Sequence, residues 1–276
     1  MMRLTIEHTT RYTYDQPQRR ISQSLRLVPA SFVGQNVINW SVRCEGGKLG
    51  AEFTDGAGDR VQTLTVGGPV DEINIIVSGV VETADTSGIL KGHKEAVHPS
   101  CYLRDTRLTD PDGAIRVISA AAFDAFPNDP LSLAHELARH TADKVAYTPG
   151  STDSEVTASQ ALEAGNGVCQ DQTHVLMTLA RCAGLPARYV TGYLQSTEDG
   201  TAHEASHAWA EIYVTGIGWV GFDPANRCCP DARHIRLGSG LDALEAAPVR
   251  GISFGGGEET MEYSLSVSQT TSQSQQ

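Results

Sequence analysis

The sequence predicts an α+β protein: an N-terminal all-β, sandwich-like domain, then a core of helices packed on an antiparallel sheet. Three observations predict it. Residues 1–105 are β-branched runs separated by Gly, Asp and Pro turns. From Pro111 to Ala183 the apolar spacing becomes that of helices. After Pro186, three further strand-like runs follow with short turns between them.

In the first region, "RLTIEHTTRYTYD" alternates polar and apolar residues, and "VINWSVRCEG", "RVQTLTVGG" and "EINIIVSGVVETA" are rich in Val and Ile. No internal repeat and no nucleotide-type glycine loop interrupts them, so a structural or substrate-positioning role is expected. "PDGAIRVISAAAFDAF" opens with Pro-Asp and ends before Pro127, as a helix does. "DPLSLAHELARHTADKVAY" starts the same way, and Leu131, Ala134, Leu137, Ala138 and Thr141 fall on one helical face. In "TASQALEAG", Thr157 stands three residues before Gln160, a capping box, and Gly165 ends the helix. A helix from about Cys169 to Ala183 closes on Gly184, with Pro186 beyond. "ARYVTGYLQ", "HAWAEIYVTG" and "GWVGFD" then read as antiparallel strands. The expected organisation is therefore a β domain over 1–105, a core over 106–234, and a C-terminal segment over 235–276. That segment holds one alternating strand, expected to return to the first sheet, and a frayed polar end, "TTSQSQQ".

Bulk composition narrows the function. The chain has 276 residues, 40% of them hydrophobic, enough for a sizeable core. A formal net charge of −12 without a basic run argues against a nucleic-acid partner. The N-terminus lacks the apolar core of a signal peptide, and no apolar run approaches the ~18 residues of a membrane span. Six cysteines without C-x-x-C then read as thiols of a reducing, cytoplasmic compartment. Nothing in the sequence specifies an oligomeric state.

Chemistry concentrates at "GNGVCQDQTH". Two glycines and an asparagine bend the chain and place Cys169 at the mouth of a helix. Unpaired N–H groups and the helix dipole there favour a thiolate and can receive an oxyanion. A nucleophile needs a base, and the base an orienting partner. His207 opens one strand and Asp223 ends the next, across the turn "TGIG", so the two should meet at one sheet edge. A helix crossing that edge would bring Cys169 to His207.

The motifs "GVCQD", "GLPARYVTGY", "SHAWAEIYV" and "GWVGFDPAN" together resemble the transglutaminase-like superfamily, particularly its bacterial branch. "YLRDTRLTDPDGAI" and "FGGGEETMEYSLSV" extend the resemblance over nearly the whole chain. It implies a papain-like core behind a β-rich domain. It also implies a triad of Cys169 as nucleophile, His207 as general base and acid, and Asp223 as orienter, with no cofactor. The implied activity is acyl transfer on an amide of a peptide or protein. Hydrolysis is the expected outcome; glutamine crosslinking and a non-catalytic peptide-binding role are the alternatives. Bacterial relatives often carry an aromatic residue at the position of Gln172, which would face either the helix packing or the cleft.

Trp209, two residues beyond His207, would shield the His–Asp pair or simply pack. Tyr147 would line the cleft or donate to the oxyanion, and Gln170 and Asp171 would cap the helix. His174 reads as a packing histidine, and His203 and Glu204 as polar loop residues. No metal site is expected. In "HELARH" the two histidines are five apart and on different helix faces, and adjacent Cys228 and Cys229 with His234 offer two zinc ligands at most.

Overall fold

The computed structural model describes residues 1–195 and 206–269. His203, Glu204 and the "TTSQSQQ" end lie outside the described residues. The first sheet is built on two long antiparallel strands, β1 (Met2–Val28) and β4 (Arg60–Thr83). β2 (Gln35–Cys44) pairs with the C-terminal part of β4, and β3 (Gly47–Thr54) with its N-terminal part. Register shifts in β1 between Thr13 and Arg20 mark a bend, and there the sheet folds over on itself. Tyr12, Tyr14, Ile21, Leu25, Leu64 and Ile73 pack together inside the fold. At the bend, a Cβ on Gly68 would stand 1.9 Å from the carbonyl oxygen of Gln18, so only glycine allows that approach. The sandwich-like domain is thus one folded sheet.

Its sequential strands stop at Thr83, short of residue 105. The following stretch instead adds to the edge of the second sheet. The Leu90 N–H donates to the Trp219 carbonyl at 2.9 Å, and the Gly221 N–H to that of Gly88 at 2.8 Å.

The helical block contains α1 (Gly113–Ala125), α2 (Pro130–Lys144), α3 (Ala158–Ala164) and α4 (Cys169–Cys182). Asp112, Asp129 and Thr157 cap the first three through side-chain oxygens, the last in the expected capping box. Two short strands, β5 (Ala146–Tyr147) and β6 (Asn166–Gly167), pair in parallel and clamp the loop before α4. α4 ends in a Schellman turn. Gly184 has φ +79°, the Leu185 N–H donates to the Ala180 carbonyl, and that of Gly184 to Arg181. Val175, Leu176, Leu179 and Ala180 are buried, so α4 is the central helix of the core.

It packs on a sheet ordered β10–β7–β8–β9: β7 (Ala187–Leu194), β8 (Ser206–Val214), β9 (Gly218–Phe222) and β10 (His234–Gly240). β10 lies beyond the expected end of the core at 234. Its "HIRLGSG" run conceals a strand because Arg236 is charged and two glycines break the alternation. The C-terminal segment then returns to the first sheet with two strands, β11 (Val249–Phe254) and β12 (Glu259–Gln269), each antiparallel to β1. Leu4, Ile6 and Val81 of the first sheet pack on Tyr193, Ile235 and Leu237 of the second. Among the described residues, no helix is long and apolar enough to cross a membrane.

Alternation splits β8. Ala208, Ala210 and Ile212 join the apolar core that contains α4. Of the opposite set, Glu211 is buried with Arg188, Arg236 and Asp59. Arg188 Nε meets Glu211 at 2.7 Å and Arg236 Nε meets it at 2.9 Å; Arg236 reaches Asp59 at 2.5 Å, and Arg188 reaches Glu95 at 2.5 Å. The Arg188 guanidinium also lies 4.0 Å from the centre of the Trp219 ring. Burial alone would raise the Glu211 carboxyl, but the charges of Arg236 and Arg188 outweigh it and hold the group at about 2.

Candidate active site

Cys169 is the first residue of α4, and its backbone entry is set from both sides. Gly165 takes φ +70° to end α3, and Gly167 is so close to the side chain of Asp171 that a Cβ would stand 2.7 Å from it. Asp171 accepts from the Val168 N–H at 2.8 Å and from the Thr152 hydroxyl at 2.6 Å, so it holds the loop as well as capping the helix. The amides of Cys169 and Gln170 belong to the first turn and have no acceptor inside the helix.

His207, on β8, and Asp223, just past β9, are joined by a 2.7 Å hydrogen bond from His207 Nε2 to Asp223 Oδ2. Both are buried. That bond occupies Nε2 and leaves Nδ1 open, and Cys169 lines the same cleft as His207. Burial alone would lower the imidazole. The charge and hydrogen bond of Asp223, then those of Cys169, outweigh it and push His207 up to about 10. Asp223 is held well below the usual carboxylate range. Burial opposes this, and the His207 charge and hydrogen bond, together with those of His234, prevail.

Asp223 is itself held by three further contacts. The Asn226 backbone N–H donates to Oδ1 at 3.2 Å, its side-chain amide donates to Oδ2 at 2.7 Å, and His234 Nε2 lies 3.1 Å from Oδ2. From the sequence, His234 offers itself only as a zinc ligand beside the cysteines, and Asn226 does not stand out. The visible signal for Asn226 was its place three residues after Asp223, an Asx-turn spacing. For His234 there was none, because its strand lies on the far side of β7.

Cys169 and His207 face a cleft of about 330 Å³. Ser154, Gln170, Tyr189 and Thr191 line it, and Leu244 and Pro248, from the β10–β11 connection, form a wall. Tyr189 was not singled out from the sequence. Its phenol is kept neutral, well above the ordinary value, by burial and then by the neighbouring charges of Cys169 and acidic groups.

The other residues named from the sequence lie elsewhere. Gln172 is 2% exposed, and its amide donates to the Val145 carbonyl at 2.6 Å, so it ties α4 to the end of α2 and does not face the cleft. Trp209 is buried on the opposite face of β8 from α4, with ring centres 6.2 Å from His207 and 5.4 Å from His234. It backs the His–Asp pair from behind. Tyr147 sits beside Gly167 in the β5–β6 pair, at the base of the loop before Cys169, and does not line the cleft. His174 is buried in α4, and its Nε2 accepts from the Ala243 N–H at 3.1 Å. Burial lowers its ring to about 4.

Cys228 pairs with Asp223 through its backbone, and its thiol is pushed up to about 12 by burial and the Asp223 charge. Among the described residues, neither it nor Cys229 joins a metal-ligand cluster. The ligand atoms of His207, Asp223 and His234 do lie within 4.8 Å of one another. However, 2.7 Å between His207 and Asp223 is a hydrogen-bond separation, shorter than the ~3.3 Å between ligands around a tetrahedral zinc.

Residues 119–224 match the transglutaminase-like superfamily core, and residues 4–82 match the bacterial transglutaminase-like N-terminal region. An uncharacterized protein of Mycobacterium leprae is 28% identical over 97% of this chain and 99% of its own length. One of Mycobacterium tuberculosis is 31% identical over 58% of this chain, a match spanning 52% of that relative. Among solved structures, a protein of Cytophaga hutchinsonii described as a candidate cysteine protease has a TM-score of 0.74 at 20% identity. That match covers 98% of this chain and 91% of the other. The likeness is one of fold.

Proposed function

We propose that this chain, which carries a transglutaminase-like core domain behind a bacterial transglutaminase-like N-terminal region, is a thiol-dependent acyl-transfer enzyme acting on amide bonds. The observation that carries this reading is the hydrogen-bonded His207–Asp223 pair at a cleft that Cys169, at the start of α4, also lines. His207 Nδ1 takes the thiol proton, and Sγ of Cys169 attacks the amide carbonyl. The oxyanion is received at the open first turn of α4, where the Cys169 N–H points. The imidazolium returns its proton to the departing amine, and a thioester remains. Asp223 keeps the ring in the tautomer that presents Nδ1 to sulfur and stabilises its charged form.

Water resolves the thioester in our reading, which makes the enzyme a cysteine protease or amidase. The substrate is a peptide or protein. A net charge of −12 supports no role for nucleic acid. Six free thiols support a reducing compartment, hence a cytoplasmic location.

A peptide library incubated with the intact chain and with Cys169→Ala, with and without a primary amine, tests this. Cleaved amides that vanish in the variant support the hydrolase. Products carrying the amine identify a transglutaminase instead. Iodoacetamide provides a substrate-free check: Cys169 should label far faster than Cys182. Equal labelling would remove the basis for an enzyme and leave a binding module.

A further inference from the structure

His207 is not the only histidine on Asp223. His234 opens β10, is 6% exposed, and approaches the same carboxylate oxygen from the other side. Its tautomer follows from its other contact. The Asp231 backbone N–H donates to His234 Nδ1 at 3.1 Å, so in the neutral ring Nδ1 is the acceptor and Nε2 carries the proton. That proton points at Asp223 Oδ2. When the ring is charged, Nδ1–H can donate instead to Asp231 Oδ1, at 3.2 Å, and Nε2–H stays on Asp223. The donor to Asp223 is therefore present in both protonation states of His234.

The groups around this ring are few. Asp223 and Asp231 face it from the loop after β9, and His207 and Trp209 from β8. Glu211 and Arg236 line the same small cavity beside it. The two carboxylates attract the charged form, and His207 opposes it. The indole of Trp209 stands edge-on to the His234 ring, at 83°, and fixes its plane.

We propose that His234 is a positioning residue for the active site, holding the Asp223 carboxylate in the orientation that engages His207. The site is then a chain of four, Cys169–His207–Asp223–His234, anchored by Asp231. Oδ2 of Asp223 receives His207, His234 and the Asn226 amide together. Losing the His234 donor lets the carboxylate rotate away from the ring it must orient. The thiolate–imidazolium pair weakens as a result. This inference rests on the reading of Cys169 and His207 as nucleophile and base.

The test uses the full chain and needs no substrate. The rate of Cys169 alkylation by iodoacetamide is measured from pH 5 to 10 by peptide mass mapping, with Cys182 as the internal reference. In the parent, Cys169 reacts fast at neutral pH; a parent whose Cys169 matches Cys182 fails the catalytic reading itself. Against a reactive parent, His234→Phe keeps a ring beside Trp209 and removes the donor. Its Cys169 rate at pH 7 should fall about 10-fold or more, with the half-maximal pH moved upward, as when the partner of a site imidazole is lost. His234→Gln restores an N–H donor and should recover to within about 3-fold of the parent. If the phenylalanine variant does not fold, His234→Met carries the same expectation. An alkylation profile unchanged in the donor-free variant overturns the proposal. So does a glutamine variant no better than that variant, because packing alone would then explain the loss.

Discussion

Two buried charge clusters share the same face of β8, and they are built differently. Around Glu211, two arginines and two further carboxylates meet, with ion-pair distances of 2.5–2.9 Å. Asp59, from the turn before β4, takes Arg236 and also the amide and hydroxyl of Ser239, so the first sheet is tied to the second through this cluster. Around Asp223, the carboxylate is equally well supplied, but His207 commits only Nε2 to it and lines, with Cys169, a 330 Å³ cleft. The first cluster pairs its charges with one another and serves geometry. The second leaves one valence open to the cleft, and that opening is what makes it chemical. The contrast separates stability from reactivity, and each variant below probes one side.

The largest effect is expected at the open valence. Cys169→Ala and His207→Ala should each lower amide turnover by roughly 10⁴-fold or more, and Cys169→Ala should leave the urea midpoint near that of the parent. A comparable loss of stability would erase the distinction between the clusters. Asp223→Asn should cost about 10³–10⁴-fold. It should also move the alkaline limb of the pH–rate profile. In the parent, His207 must stay protonated to serve the leaving amine, so activity should fall as pH rises through about 10. Without the Asp223 charge that raises the ring, the limb should shift downward, toward the ordinary imidazole range.

The Glu211 cluster should answer the other way. Arg236→Met leaves Asp59 in the interior without a counter-charge and Glu211 with Arg188 alone, and should cost about 3–5 kcal/mol of unfolding free energy, read from urea melts. The alkylation rate of Cys169 in the folded fraction should hold. The cluster also has a pH signature. Glu211 titrates lower in the fold than its ordinary 4.5, at about 2. Its contribution is therefore complete above the ordinary value and is lost as pH falls toward about 2.

Gln172→Leu is the mildest test. It strips the buried Val145 carbonyl of its donor and should cost about 1–3 kcal/mol with no change in substrate preference. An altered preference would return Gln172 to the cleft.

Much of the site was legible because it is written in local signals. The Gly-Asn-Gly bend, the helix start at Cys169 and the hairpin between His207 and Asp223 are short-range features. They remain recognisable without knowing how the elements pack. The four helices were legible for the same reason, through caps and apolar spacing. What escaped notice depends on distant pairings. His234 reaches Asp223 only because β10 crosses to the far side of β7, and Arg236 meets Asp59 across 177 positions of sequence. A lone charged residue in a glycine-broken run looks like a surface residue until the fold supplies its partner. Gln172 shows the reverse: three residues after Cys169, it could face the packing or the cleft, and the rotation of the helix turns it into the packing.

The return of β11 and β12 to β1 has a consequence for biosynthesis. Leu4 pairs with Gln269, and Leu25 with Val249, so one flank of β1 has no neighbour until β11 and β12 have been made. Until then that flank is a bare row of amides and carbonyls, able to zip onto another nascent chain. Slow elongation or crowded expression should therefore lower yield, and supplying β11 and β12 as a separate peptide should rescue it.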